Sequence, residues 1–129
     1  MKTKIEILSE TGKLLFAYEA EENSIKKTVE AAVKDGVSLA GADLFCAELS
    51  GAKLSHADLS FSDLSNTCLY HADLSFSNLS YADISFSEFS HVELFEANIL
   101  GTDFIHSDLS HSNFSKVKNQ KLKNDNWRC

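Results

Sequence analysis

Residues 40 to 80 read AGADLFCAELSGAKLSHADLSFSDLSNTCLYHADLSFSNLS, and the same style continues to Phe114. A large apolar residue returns every five positions without a slip, at Leu39, Leu44, Leu49, Leu54, Leu59, Leu64, Leu69, Leu74, Leu79, Ile84, Phe89, Leu94, Ile99, Phe104, Leu109 and Phe114. We call this position the centre of each unit. Two residues before every centre stands something small or β-branched, from Val37 and Ala42 through Thr67 and Ser87 to Ser112. Period five fits neither standard element. Five residues turn an α-helix by about 500°, scattering the leucines, and on a flat strand an odd period sends successive leucines to opposite faces. The pattern fits a coil of square section in which each unit is one side, its centre and small residue pointing inward. Four sides make a turn of about twenty residues, and stacked turns lie about 4.8 Å apart, as paired strands do. Sixteen units then predict an all-β solenoid of about four coils.

These residues resemble the pentapeptide repeat proteins, whose motif runs small, Asp or Asn, Leu or Phe, Ser or Thr, Gly. The resemblance spans Val37 to Lys116, and the residue before the centre complies in ten units: Asp43, Asp58, Asp63, Asp73, Asn78, Asp83, Asn98, Asp103, Asp108 and Asn113. It implies a right-handed quadrilateral parallel β-helix. The fifth position departs from the motif, being Gly only at Gly41, Gly51 and Gly101 and elsewhere carrying residues such as His56, Phe61, Phe76, Tyr81 or Phe86. Gly eases turns that need positive φ, so corners without it are expected to use turns that tolerate side chains.

Before the repeat, two strands are expected at about Lys4 to Leu8 and Lys13 to Glu19, joined by a turn at Glu10-Thr11-Gly12. A helix follows, capped by Asn23 or Ser24, striped by Ile25, Val29 and Val33, and stopped at Gly36. Open solenoid ends expose core and strand edges, so residues 1–36 read as an N-terminal hairpin and helix cap, residues 37–116 as the β-helix and residues 117–129 as a basic tail. In that tail Val117, Leu122 and Trp127 either fold over the last coil, with Trp127 on Phe114, or fray.

Charge is segregated. The whole chain has a formal charge of −7, but residues 37–114 hold one basic residue, Lys53, against eleven acidic ones. Such a rod is not expected to bind nucleic acid or an anionic membrane directly. No apolar run approaches the length of a spanning helix, and Met1-Lys2-Thr3-Lys4 does not open a secretory signal. Cys46, Cys68 and Cys129 match neither a disulfide framework nor a zinc-ligand spacing, which points to free thiols in a cytoplasmic protein.

A twenty-residue turn stacks Asp43, Asp63, Asp83 and Asp103 in one column. Their carboxylates either accept backbone N–H groups at the turns or present charge outward. Some pentapeptide repeat proteins bind DNA gyrase as acidic rods that resemble duplex DNA. The resemblance therefore carries an alternative, an acidic DNA mimic that binds or inhibits a type II topoisomerase, although four coils make a rod of only about 20 Å. Outward aromatic and aliphatic residues also stack: Phe61, Tyr81 and Leu100 on one side, Phe45, Phe86 and Ile105 on the next, Phe76 with Phe95 on another. Two readings stand for them, contact with another protein or a second copy, and ladders that merely join neighbouring coils.

His71, His91 and His111 form a third column, readable as a metal or pH-responsive site or as a solvated corner; no tetrahedral ligand set accompanies them. The many serines occupy the motif's Ser position with no base beside them, no Gly-rich phosphate loop is present, and a packed solenoid of this width is expected to offer no pocket. The sequence thus predicts a non-catalytic protein-interaction scaffold without cofactor or metal. Its candidate contact residues are Phe61, Tyr81, Phe86, Phe45, Ile105, Asp43, Asp63, Asp83 and Asp103, and its partner is another protein or itself.

Overall fold

The computed structural model describes residues 1–119; the expected contacts of Leu122 and Trp127, and Cys129, lie outside the described residues. Strand β1 (Lys2–Leu8) pairs antiparallel with β2 (Leu14–Glu21), and Gly12 at φ 90 turns the chain between them. Helix α1 (Ile25–Lys34) follows, its N-cap Ser24 accepting the Lys27 N–H at 3.1 Å. Asn23 does a different job, donating to the carbonyls of Thr3 and Tyr18 and so tying the helix entry to the hairpin. Beyond α1 the described residues form single-residue parallel bridges between positions twenty apart, from Asp43↔Asp63 to Asn98↔Lys118. This is a quadrilateral β-helix, and its ladder runs on through Lys118.

Every N–H of a unit has a set destination, as a buried backbone demands. The centre donates to the next coil, as Leu44 does to the Asp63 carbonyl at 2.9 Å, and the residue before it donates to the previous coil, as Asp63 does to Ala42 at 2.9 Å. The corner residue also donates to the next coil, and the small residue closes the turn onto the preceding centre, as Ala47 does onto Leu44 at 3.0 Å. The remaining N–H, that of the residue after the centre, is taken by a side chain in twelve of the sixteen units. All ten Asp and Asn residues of the motif accept it with Oδ1. Ser60, Ser65, Ser75, Ser80, Ser85 and Ser110 add their hydroxyls to the same oxygen. The motif's Asp-x-Ser spacing is therefore a backbone acceptor with its own brace.

The corners overturn the expectation drawn from their missing glycines. All sixteen fifth positions have positive φ, from 55° at Lys116 to 74° at Gly41, and thirteen of them are not Gly. Positive φ falls only at the third residue, and in thirteen of the sixteen the fourth N–H bonds back to the first carbonyl, so these are type II turns regardless of side chain. An L-residue pays about 1–2 kcal/mol for that conformation. The rungs impose it, because Phe61, Tyr81 and Phe86 each donate their N–H to the coil below, at 2.9, 2.7 and 2.9 Å, and another turn would break that bond.

Inside, the centres form one continuous core from Leu39 to Leu109, ending in the edge-to-face rings of Phe89, Phe104 and Phe114. Interior hydroxyls modify three turns. The N–H groups of Thr67, Ser87 and Val92 donate to the Oγ of Ser87, Ser107 and Ser112 in the next coil, and those hydroxyls donate to the carbonyls of Leu64, Ile84 and Phe89. A hydroxyl from below thus sits in the gap of the turn above it. At the other end the cap covers open edges. Asp43 donates to the Leu8 carbonyl at 2.8 Å, Glu10 donates to Gly41 at 3.1 Å, and the Glu30 carboxylate accepts the Lys53 N–H at 2.8 Å.

Two neighbouring positions separate core packing from polar satisfaction. Leu79 is fully buried, and Leu79→Ala should cost about 2–5 kcal/mol. Ser77 is 2% exposed and its hydroxyl has no partner, so Ser77→Ala should stabilise by about 1 kcal/mol. Urea denaturation of both variants measures the two opposite changes.

Candidate functional site

The coil brings the sequence-predicted residues Asp43, Asp63, Asp83 and Asp103 together in one bridged column. The corner before this face carries Phe61 and Tyr81, with rings stacked 5.2 Å apart. The corner after it carries Phe86, which packs on His106 at 5.0 Å, a partner that was not among the contact residues expected from the sequence. Phe45 and Ile105 stand on the face itself, in the first and last coils. Phe45, Phe61, Tyr81 and Phe86 are 55%, 61%, 51% and 59% exposed. An acidic column therefore runs between two aromatic ridges. Phe61 and Tyr81 stack as the ladder reading expects, and each leaves half or more of its surface to solvent.

The Phe61–Tyr81 ridge ends for a steric reason. Tyr81 lies over Gly101, where a Cβ would come within 2.6 Å of its ring. Only a residue without a side chain at that corner lets the tyrosine lie flat along the rod.

Each Asp of the column uses one oxygen within its own turn, Asp43 for the Phe45 N–H, Asp63 for Ser65, Asp83 for Ser85 and Asp103 for Ile105. The second oxygen of each has no partner among the described residues. The ion pairs found there, Met1 with Glu21 and Lys4 with Glu6, belong to the hairpin, so no cation among the described residues pairs with the column. Its field is felt at its head. Glu10 has its carboxyl pushed up from the ordinary 4.5 by burial first and then by repulsion from Asp63, Asp43 and Asp83.

Turn bonding has the opposite effect elsewhere. Asp58 is pushed up most by burial, but bonds from the Ser60 and Ser38 hydroxyls and the Ser60 N–H outweigh it and leave the carboxyl below its ordinary 3.8. Asp108 is lowered by the Ser110 hydroxyl, then by the Ser110 N–H.

The other columns are as follows. His71, His91 and His111 stack at 4.8 Å per step, with Tyr70 against the first two. Among the described residues no group of three or more His, Cys, Asp or Glu is arranged to hold a metal ion. His56 stacks on Phe76, which meets Phe95 edge-on, and the Lys116 ammonium lies 5.9 Å from the Phe95 ring. Cys46 and Cys68 are free thiols. The expectation of no pocket fails around α1: a groove of about 480 Å³ lies where the helix meets the first coil, lined by Glu30, Val33, Lys34, Lys53, Ser55 and His56, and depressions of about 260 and 270 Å³ lie beside Tyr18 and beside Gly36. Periodicity within the coil carries no signal for it, because it forms where a non-repeating helix crosses the repeat. Among the described residues no helix is long and apolar enough to cross a membrane.

The pentapeptide repeat family model matches eight copies over residues 35–60, 57–94 and 87–118. Among solved structures, the chain is similar to the pentapeptide repeat protein alr5209 from Nostoc PCC 7120. The two share 30% identity over 74% of this chain and 76% of that one, with a TM-score of 0.63. It is also similar to HetL of Nostoc sp. PCC 7120, described as involved in heterocyst differentiation regulation, at 32% identity and a TM-score of 0.56. That likeness covers 58% of this chain and 35% of HetL, so the chain spans about a third of HetL's length. No curated protein matches.

Two acid-range measurements test the electrostatics. Asp58 contributes stability that is complete above the ordinary 3.8 and is lost as pH falls through its lower folded value. Asp58→Asn keeps the acceptor, as Asn78 does one coil on, and should lose less stability than the wild type between pH 4 and pH 2. Glu10 has the opposite sign: its ionised form strains the fold at neutral pH, and the strain disappears as pH falls through its raised value. Glu10→Gln should therefore raise Tm at pH 7 in low salt and leave it unchanged at pH 3.

Proposed function

Because the chain belongs to the pentapeptide repeat family, we propose that it is a non-catalytic, cytoplasmic interaction scaffold whose Asp43 to Asp103 face docks another protein. The observation that carries this reading is the set of four half-exposed aromatic rings around the column, Phe61 and Tyr81 on one corner, Phe86 on the other and Phe45 on the face between, beside carboxylates with no ion pair among the described residues. Contiguous exposed aromatics mark protein contacts, and three of these rings project from strained corners that a glycine would fill at less cost. Non-catalysis is supported by the repeated engagement of the motif serines with turn oxygens that already accept a backbone N–H, so that none stands apart as a nucleophile. The free thiols Cys46 and Cys68 support a reducing compartment. HetL's described part in regulation is compatible with a binding role, and nothing of its partners is carried over.

The alternative, a DNA mimic acting on a topoisomerase, asks the carboxylates to stand in for phosphates. In this column each carboxylate already serves its own turn, and the described rod is only about 20 Å long.

Immobilised wild-type chain and Phe61→Ser/Phe86→Ser and His71→Ser/His91→Ser variants separate these readings. Protein retained from a lysate by the wild type and the histidine variant should be lost from the Phe61/Phe86 variant. Equal retention by all three contradicts the face. In a DNA gyrase supercoiling assay the wild type should leave activity unchanged, whereas inhibition abolished by Asp63→Lys/Asp83→Lys would establish the mimic instead.

A further inference from the structure

Resting on the reading of this face as a docking surface, we propose that its occupant is a basic amphipathic α-helix of another protein, lying along the rod axis. Its Lys or Arg stripe meets the Asp column, and its apolar flanks meet the two ridges.

Three observations select this occupant. The first is charge: the column's outward oxygens have no cationic partner among the described residues, and the described coil's lysines stand elsewhere, Lys53 bridged to Asp73, Lys118 bridged to Asn98 and Lys116 against Phe95. A carboxylate row that a partner desolvates needs positive charge from that partner, and repulsion from Asp63, Asp43 and Asp83 adds to burial in raising the carboxyl of Glu10 at its head. The second is the pairing of acid with aromatic surface. Phe61, Tyr81 and Phe86 flank the column and are half or more exposed, so a ligand whose cations meet the carboxylates in front has apolar surface to cover on both sides.

The third is spacing. Successive Asp residues lie one coil apart, about 4.8 Å. Basic residues on one helix face recur every turn, about 5.4 Å, whereas same-side residues of an extended strand recur at about 6.6 Å. Over the three steps from Asp43 to Asp103 the mismatch is about 2 Å for a helix and about 5 Å for a strand. Long, flexible Lys and Arg side chains absorb the first and not the second.

Fluorescence anisotropy with two synthetic peptides of equal length and charge tests this. One is an alanine-rich helical peptide with leucines flanking lysines spaced alternately four and three apart; the other has those lysines at every second residue and a central proline that prevents helix formation. The wild-type chain should bind the helical peptide at least tenfold more tightly. Asp63→Asn/Asp83→Asn, which keeps the turn acceptors as Asn78 and Asn98 do, should weaken that binding at least tenfold, and so should Phe61→Ser/Phe86→Ser. Equal binding of both peptides, lost in both variants, overturns the helical occupant and leaves the docking face standing. Binding unaffected by either variant overturns the face as well. No binding of either peptide overturns the basic occupant. Concentration-dependent dimerisation of the chain alone, abolished by Phe61→Ser/Phe86→Ser, assigns the face to a second copy and overturns it too.

Discussion

The rung between coils governs the molecule. A centre's N–H reaches the carbonyl nineteen residues on, and the next coil's motif residue returns an N–H to the carbonyl twenty-one residues back, as in Leu44 to Asp63 and Asp63 to Ala42. Closing that pair in every coil fixes the number of residues per turn. From it follow the inward placement of the centres, the vertical stacking of like positions and the positive φ of every corner. An insertion of one residue would shift each later side chain by one place in its unit and expose the core, so the five-residue period admits no slip.

The same constraint explains how an acidic protein tolerates columns of carboxylate. Each Asp is held by a backbone N–H that has no other acceptor, a charge-assisted bond that offsets repulsion between neighbours in a column. Where the motif residue cannot play this part, the chain shows it. Lys53 has no acceptor, the Cys68 thiol is a weak one, and Glu88 and Glu93 are a methylene longer; at these four positions no bond to the residue two places on is found, although Glu48 does reach Ser50. The corners follow similar logic. His, Phe and Tyr are poor choices for positive φ in isolation, yet stacked at about 5 Å on the coil below they recover part of the cost through ring contact, and their remaining surface becomes available for binding.

Much of this was legible in the sequence. The strict return of Leu, Ile and Phe revealed the coil, its four turns and the inward set, and Ser24, Gly12 and Gly36 marked the helix and hairpin close to where they lie. The candidate face was named residue by residue, but its assembly was not. Tyr81 and Phe86 belong to different corner columns, and their joint position beside Asp83 is a property of the square section. The corners were misjudged because local propensity argues against side chains at positive φ, while the rung that overrides it is non-local. The hydroxyls of Ser87, Ser107 and Ser112 carried no signal, since Ser is an ordinary small residue at that position and only stacking reveals the turn above it. The groove under α1 arises between unlike elements, where periodicity is silent.

If the rung is the controlling constraint, the coils should open as a unit rather than one at a time. Amide hydrogen exchange followed by NMR tests this most directly. Protection should peak in the second and third coils, with the N–H groups of Leu64, Asp83, Leu79 and Phe61 exchanging at one common free energy close to that of global unfolding. Slow exchange confined to β1, β2 and α1, with those same coil amides exchanging fast or at widely different free energies, would contradict the account.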